Sequence, residues 1–304
     1  MKTRQRGVAI VLAMGVVAFA AMAATAIMVS QSTWSRRAEL TASHVQAQAV
    51  LQAGADWARA LLSDDRRISN LDHLGEPWAL KLPPMRVENG ELLGKIEDQQ
   101  GAFNLNNLVT EGKINLTQLA NFRRLLAILG LPDELGDALA DWIDEDNQPQ
   151  PRSGAEDAYY LSLDPPYLAA NRPLTDVDEL ALVRGFDVNV RARLRPYVAA
   201  LPGSRPVNVN TASPEVLAAV IEGLDLGGAE VLVAQRDRAY YRSVDDFVRR
   251  LPSGTEPGAN QLSVSSDYFL ATLRVTIGGA QARGKALLAR GAAGWPAIVW
   301  RKYL

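Results

Sequence analysis

No charged residue occurs between Arg6 and Arg36, and that gap constrains the chain more than any other feature. Residues 8–29 are almost wholly apolar, and about 20 such residues cross the hydrocarbon of a bilayer as a helix. Lys2, Arg4 and Arg6 precede the run with no acid among them, which places that flank on the cytoplasmic side. Two readings compete. A secretory signal peptide would be cut after a small residue such as Ala23 or Ala26. A retained anchor would continue as helix beyond the run. The uncharged stretch is longer than an ordinary signal core. Residues 31–62 contain no proline and only Gly54, and apolar or small residues recur at Leu40, Ala47, Val50, Leu51, Ala55, Ala58, Leu61 and Leu62. One helix over 8–62 would span roughly 80 Å. It would be lipid-soluble in its first half and amphipathic in its second.

The remaining pattern predicts an α+β protein. The 304 residues suffice for one large or two ordinary domains. A polar break is expected at 63–65, then a loop to Pro83-Pro84. Residues 85–99 read as a hairpin turning at Asn89-Gly90. Residues 268–277 alternate, Gly278-Gly279 turns the chain, and strands are expected at 282–289 and 298–303. Between about 104 and 262 the periodicity is helical, with helices expected at 116–129, 133–143, 175–184, 190–199, 214–222, 228–236 and 244–251. This divides the chain into an N-terminal helix at 8–62, a sheet-bearing domain at 63–103 and 263–304, and an inserted all-α domain at 104–262.

Composition excludes several chemistries. There is no cysteine, so no disulfide framework or thiolate metal site. His44 and His73 are the only histidines, which excludes a histidine-rich zinc site and a supported catalytic triad. No nucleophile–base constellation appears, and the expectation is a protein that is not an enzyme. The formal charge of -2 gives no basic excess to draw the chain onto nucleic acid.

Two motifs remain. Residues 133–157 hold nine acids and one base, Arg152. Asp141 and Asp144, three apart, share a helix face. Asp146 follows, and Glu156 and Asp157 are placed to fold back. Hard oxygen ligands grouped in a loop suit Ca²⁺. The match to an EF-hand loop is poor, because Pro149 stands at the glycine position and Ala155 at the terminal glutamate. On spacing alone, a solvated acidic loop stays open as the alternative. The second motif is an internal echo. Asn104-Leu105-Asn106 and Asn208-Val209-Asn210 each precede a helix, with a third partial copy at 174–186. The segment 223–229 with Tyr241 and Phe247 resembles a helix-hairpin-helix repeat of DNA-uptake receptors, so a membrane-anchored DNA-binding protein is the alternative function. Glu222, Asp225 and Glu230 in that hairpin would repel phosphate, although Arg236, Arg238, Arg242, Arg249 and Arg250 form a candidate basic face. The repeats are therefore read as scaffold, with no nucleic-acid partner.

The basic leader ending in Gly7, followed at once by a charge-free helix, resembles the signal of type IV pilins and pseudopilins. That resemblance implies cleavage between Gly7 and Val8 by a prepilin peptidase, N-methylation of Val8 and retention of the helix. Losing three bases would lower the formal charge from -2 to -5. Pilins carry glutamate at the fifth mature position, where this chain has Leu12. Within the pseudopilins the chain is similar to the K-type minor pseudopilins of type II secretion. This implies a pilin-like long helix on an antiparallel sheet with an inserted α-domain. It also implies calcium in that domain, with Asp141, Asp144, Asp146, Glu156 and Asp157 as candidate ligands. The implied setting is the tip of a short periplasmic filament that exports folded proteins. The implied partners are I- and J-type minor pseudopilins, with the H-type and secreted substrates as further candidates. A single span in the inner membrane would carry the bulk of the chain in the periplasm.

Overall fold

The computed structural model describes residues 4–80, 83–291 and 294–304, with 4–7 as helix backbone only. Residues 1–3 of the expected leader lie outside the described residues. Helix α1 (Arg4–Ile68) runs for 65 residues, roughly 98 Å. Its residues 8–42 are exposed throughout. From there a stripe at helical spacing turns inward, and Ala47, Leu51, Ala55, Ala58 and Leu62 are all buried. Small residues let the helix sit close to the sheet. A Cβ on Gly54 would stand 3.3 Å from methyls of both Leu92 and Leu273. The helix passes through the expected polar break at 63–65. Ser63 and Asp65 are buried there, and Asp65 is neutralised by Arg290 at 2.8 Å. Their polarity serves a buried junction rather than a loop.

The sheet comprises β1 (Met85–Val87), β2 (Gly90–Asp98), β3 (Tyr268–Ile277), β4 (Ala280–Ala289) and β5 (Ala297–Tyr303). All neighbours are antiparallel, in spatial order β1-β2-β3-β4-β5. Asn89 at φ 58 turns the first hairpin, and Gly278 and Gly279, both at positive φ, turn the second. The period of two splits β3 between two cores. Phe269, Ala271, Leu273, Val275 and Ile277 join the α1 stripe, whereas Tyr268 joins Leu287, Ala199 and Leu201 beneath the helical domain.

The helical domain leaves the sheet after β2 and returns at β3. It contains α2 (Leu116–Ile128), α3 (Leu135–Ile143), α4 (Asp157–Tyr160), α5 (Val188–Leu194), α6 (Pro214–Val220), α7 (Leu226–Arg238) and α8 (Val244–Val248). Two expectations need correction. The segment expected as helix over 175–184 is a 3₁₀ turn, Val177–Leu182. The one expected over 190–199 stops at Leu194, because Pro196 has no N–H to continue it. Val198 and Ala199 instead pair in parallel with Phe103 and Asn104.

The internal echo is one device used twice. The Asn106 carboxamide accepts from Leu174 N at 2.8 Å and donates to Leu174 O at 2.9 Å. Asn210 does the same to Tyr241, at 2.8 and 3.0 Å. Each clamp is followed by a short helix capped by Asp176 or Ser243. Residues 174–186 are therefore the closing half of the first copy, not a third one. The second copy runs directly from α7 to its clamp, whereas the first inserts 144–173, which carries the acidic loop. Asn106→Ala and Asn210→Ala each orphan a buried N–H and C=O, at about 1–3 kcal/mol per group. Urea titration of the full chain should show a lowered midpoint for both. Midpoints equal to wild type would refute the clamp.

Candidate metal centre in the helical domain

Helix α3 is buried along its whole length, which carries its C-terminal carboxylates inward. Asp141 is closed to solvent. Its Oδ2 accepts from Gln150 N at 3.0 Å, and its Oδ1 has no partner. Asp144 caps the helix C-terminus in extended conformation, buried, with Oδ1 also unpartnered. The chain then loops out and returns. Gly154 passes so close that a Cβ there would lie 2.2 Å from Asp141 Oδ2. Buried Ala155 fixes the return and delivers Glu156, buried with both carboxylate oxygens unpartnered. Asp144, Asp146 and Glu156 each bring one oxygen within 4.8 Å of the others. Asp146 is exposed and holds Gln148 N at 2.8 Å. Asp157 opens α4 and accepts from Ala169 N at 3.0 Å, so one of its oxygens is engaged elsewhere.

Among the described residues no ion pair neutralises Asp141, Asp144, Asp146 or Glu156, although flanking Asp137 and Asp133 pair with Arg123 and Arg152. Burial is the first cause that raises these carboxyls, and mutual repulsion adds to it. Glu156 is pushed to about 8, Asp144 to about 7 and Asp141 to about 6. Unpartnered buried oxygens in a group of acids fit a hard divalent cation. No histidine or cysteine is present to favour a softer metal.

A second acidic cluster had no signal in the sequence. Asp65, Asp72 and Glu76 also bring oxygens within 4.8 Å of one another. Here the protein supplies its own cation, since Arg290 donates to Asp65 at 2.8 Å and to Asp72. In the second repeat α6 and α7 are joined by a turn at Gly223, but Asp225 Oδ1 accepts from Gly228 N at 2.7 Å. A carboxylate thus holds the place where a phosphate would meet the start of α7. Arg236 leaves the expected basic face. It is buried, and it donates to Val209 O at 3.3 Å and Ala212 O at 2.5 Å. At the other end of the molecule Val8 and Leu12 lie exposed on α1, in the stretch apolar and long enough to cross a membrane.

Comparison with known proteins bears on this architecture. Two family models, both described as type II secretion system (T2SS), protein K, match residues 101–203 and 207–265. The chain is 40% identical to the type II secretion system protein K of Pseudomonas aeruginosa, over 91% of this chain and 86% of that protein. Against the namesake from Klebsiella pneumoniae the figure is 34%, over 95% and 93%. A solved GspK-GspI-GspJ complex from enterotoxigenic Escherichia coli contains a chain that superposes with a TM-score of 0.77 at 27% identity. The match covers 88% of this chain and 99% of that one.

The crowded carboxylates set a pH dependence in metal-free protein. Folded Glu156 and Asp144 keep protons that the unfolded chain releases near pH 4, so stability present at low pH fades as pH rises through 7 and 8. With chelator present, the melting midpoint of the full chain should fall from pH 5 to 8. Asp144→Asn with Glu156→Gln should flatten that fall. Identical profiles for wild type and variant would contradict the electrostatics.

Proposed function

Because the chain belongs to the type II secretion system protein K family, we propose that it is a minor pseudopilin that caps the tip of a periplasmic pseudopilus. In this reading it helps start filament assembly for the export of folded proteins. The observation that carries the reading is α1, whose exposed apolar half has Leu12 where ordinary pilins have a carboxylate. A carboxylate in lipid needs a partner. A subunit without one needs no subunit above it. Prepilin peptidase would cut between Gly7 and Val8, leaving Val8 as the methylated N-terminus. The basic leader favours a cytoplasmic start and a periplasmic bulk. The I- and J-type minor pseudopilins are the expected partners, on the precedent of the related complex, with the H-type and secreted proteins as further contacts. A tip position also accommodates a periplasmic part larger than the common domain of about 100–150 residues. The DNA-binding alternative is disfavoured by the Asp225 cap and the buried Arg236.

The same reading assigns Ca²⁺ to the acidic loop. Asp144, Asp146 and Glu156 would hold the ion, with Asp141 and Asp157 beside them. The ion would replace repulsion among buried carboxylates with attraction, and so fix the 144–173 excursion against the first repeat.

Calcium at a hundred times its dissociation constant should stabilise the full chain by about 2.7 kcal/mol. Calorimetry should show heat of binding, and Asp144→Asn with Glu156→Gln should abolish it. Absence of both heat and a melting shift in wild type would remove calcium from the proposal. Leu12→Glu adds an unpaired charge in lipid, so secretion and filament initiation should be unchanged or worse. Improved initiation, or crosslinks placing the protein at regular intervals along the shaft, would defeat the tip assignment.

A further inference from the structure

Among the described residues, the buried cluster where the sheet meets the helical domain holds more acids than bases. Asp65, Asp72 and Glu76 are all buried, with carboxylate oxygens within 4.8 Å of one another. Arg290, itself buried, donates to Asp65 at 2.8 Å, to Asp72, and to Ser266 O at 2.9 Å. It makes no hydrogen bond to Glu76. Among the described residues that carboxyl accepts through Oε2, from His73 N at 3.0 Å and Trp78 Nε1 at 2.8 Å. Arg66 of α1 adds positive charge on the Asp65 side of the cluster. Asp98 of β2 brings a further negative charge, with Oδ2 engaged by Thr211, Ser266 and Asn208. His73 stacks on Tyr240 at 4.0 Å, and its ring is held toward the neutral form by burial. Three ionised carboxylates beside Arg290, with Arg66 acting on Asp65, would still leave net negative charge in a buried site, which low dielectric resists.

We propose that a proton on Glu76 completes this junction at neutral pH, and that its loss loosens the attachment of the helical domain to α1 and the sheet. The loop carrying Glu76 is one part of the attachment, tied both to Asn208 of the helical domain and to the chain re-entering the sheet. Asp72 N donates to Val264 O at 3.0 Å, Asn208 Nδ2 donates to Asp72 O at 3.1 Å, and Ser266 N donates to Asp72 Oδ2 at 2.7 Å. A protonated Glu76 adds no charge beside Asp65 and Asp72, each of which brings an oxygen within 4.8 Å of one of its own. Burial, aided by repulsion from Asp65 and Asp72, pushes the Glu76 carboxyl up to about 7. The folded state therefore keeps a proton that the unfolded side chain releases near 4.5, and this stability is lost as pH rises through about 7. His73 works in the opposite sense. Its lowered pKa costs stability as pH falls through the ordinary histidine range. The two groups therefore oppose each other below neutrality, whereas the loss on rising through about 7 belongs to Glu76. None of these groups belongs to the acidic loop, so the device is independent of calcium.

The test uses the full chain in detergent micelles with ¹³C-labelled glutamate. The Glu76 carboxyl signal, assigned by its absence in Glu76→Gln, should titrate near pH 7. Amide protection at Asp72 and Ser266, corrected for intrinsic exchange, should drop about tenfold between pH 6 and 8 in wild type relative to Glu76→Gln. In Glu76→Gln, where the amide mimics the protonated acid, only the opposite trend set by His73 should remain. A Glu76 carboxyl that titrates near 4.5 overturns the proposal, and that measurement needs wild type alone. Equal pH dependence of protection in wild type and Glu76→Gln overturns it as well.

Discussion

The stripe of Ala47, Leu51, Ala55, Ala58 and Leu62 shares one core with Phe269, Ala271, Leu273 and Val275 of β3, and the position of every other element follows from that seat. Small side chains bring the helix axis close to the sheet, so a single face of α1 suffices to cover it. Residues 8–42 of α1 are exposed, with no packing partner among the described residues. Its apolar surface requires another environment, and a bilayer supplies one of the right thickness. One helix is thus suited to two solvents, with a first half that fits lipid and a second half packed in a protein core.

The central strand of that core is also the return point of a long excursion. β2 and β3 are hydrogen-bonded neighbours, yet the helical domain lies between them in sequence. The two ends of the excursion must stay together without a disulfide. Asp98 and Gln100, just leaving the sheet, bind Ser266 and Asp267, just re-entering it, at 2.7 Å each. Asn208 and Thr211 of the second repeat join the same carboxylate. The polar interface orients the helical domain, and buried polar groups of this kind are favourable only while each keeps its partners. The two acidic clusters answer that demand differently. The junction cluster has Arg290 built in. The loop cluster at Asp144 and Glu156 has orphaned oxygens and no arginine, which is the arrangement expected of a site completed by an ion from outside.

Much of this was legible in the sequence because it rests on periodicity. The charge-free run, the small-residue stripe, the Asn-Gly and Gly-Gly turns and the strands at either end all follow local rules, and the α+β architecture with an inserted α-domain follows from their order. The acidic loop was visible as composition, and the structure brings Asp144, Asp146 and Glu156 together from the five acids singled out. What escaped was set by tertiary contact. Ser63 and Asp65 looked like a loop because polarity usually marks the surface, and Asp65 is instead buried against Arg290, more than two hundred residues away in sequence. Arg236 looked like part of a basic face, but its place inside the second repeat depends on two carbonyls that no spacing rule reveals. The break at Pro196 was readable and shows that an apolar helical pattern yields to a missing N–H. The asparagine echo was seen as sequence, whereas its meaning lay in the backbone pairs it clamps.

The measurement that bears most directly on the membrane-anchored pseudopilin is the intact mass of the native protein extracted from membranes. Cleavage between Gly7 and Val8 with retention of the whole helix predicts a chain beginning at Val8 and carrying one added methyl group. A soluble product beginning near Ala24 would mean that α1 is severed as an ordinary signal peptide, and it would contradict the anchor, the processing site and the tip position together.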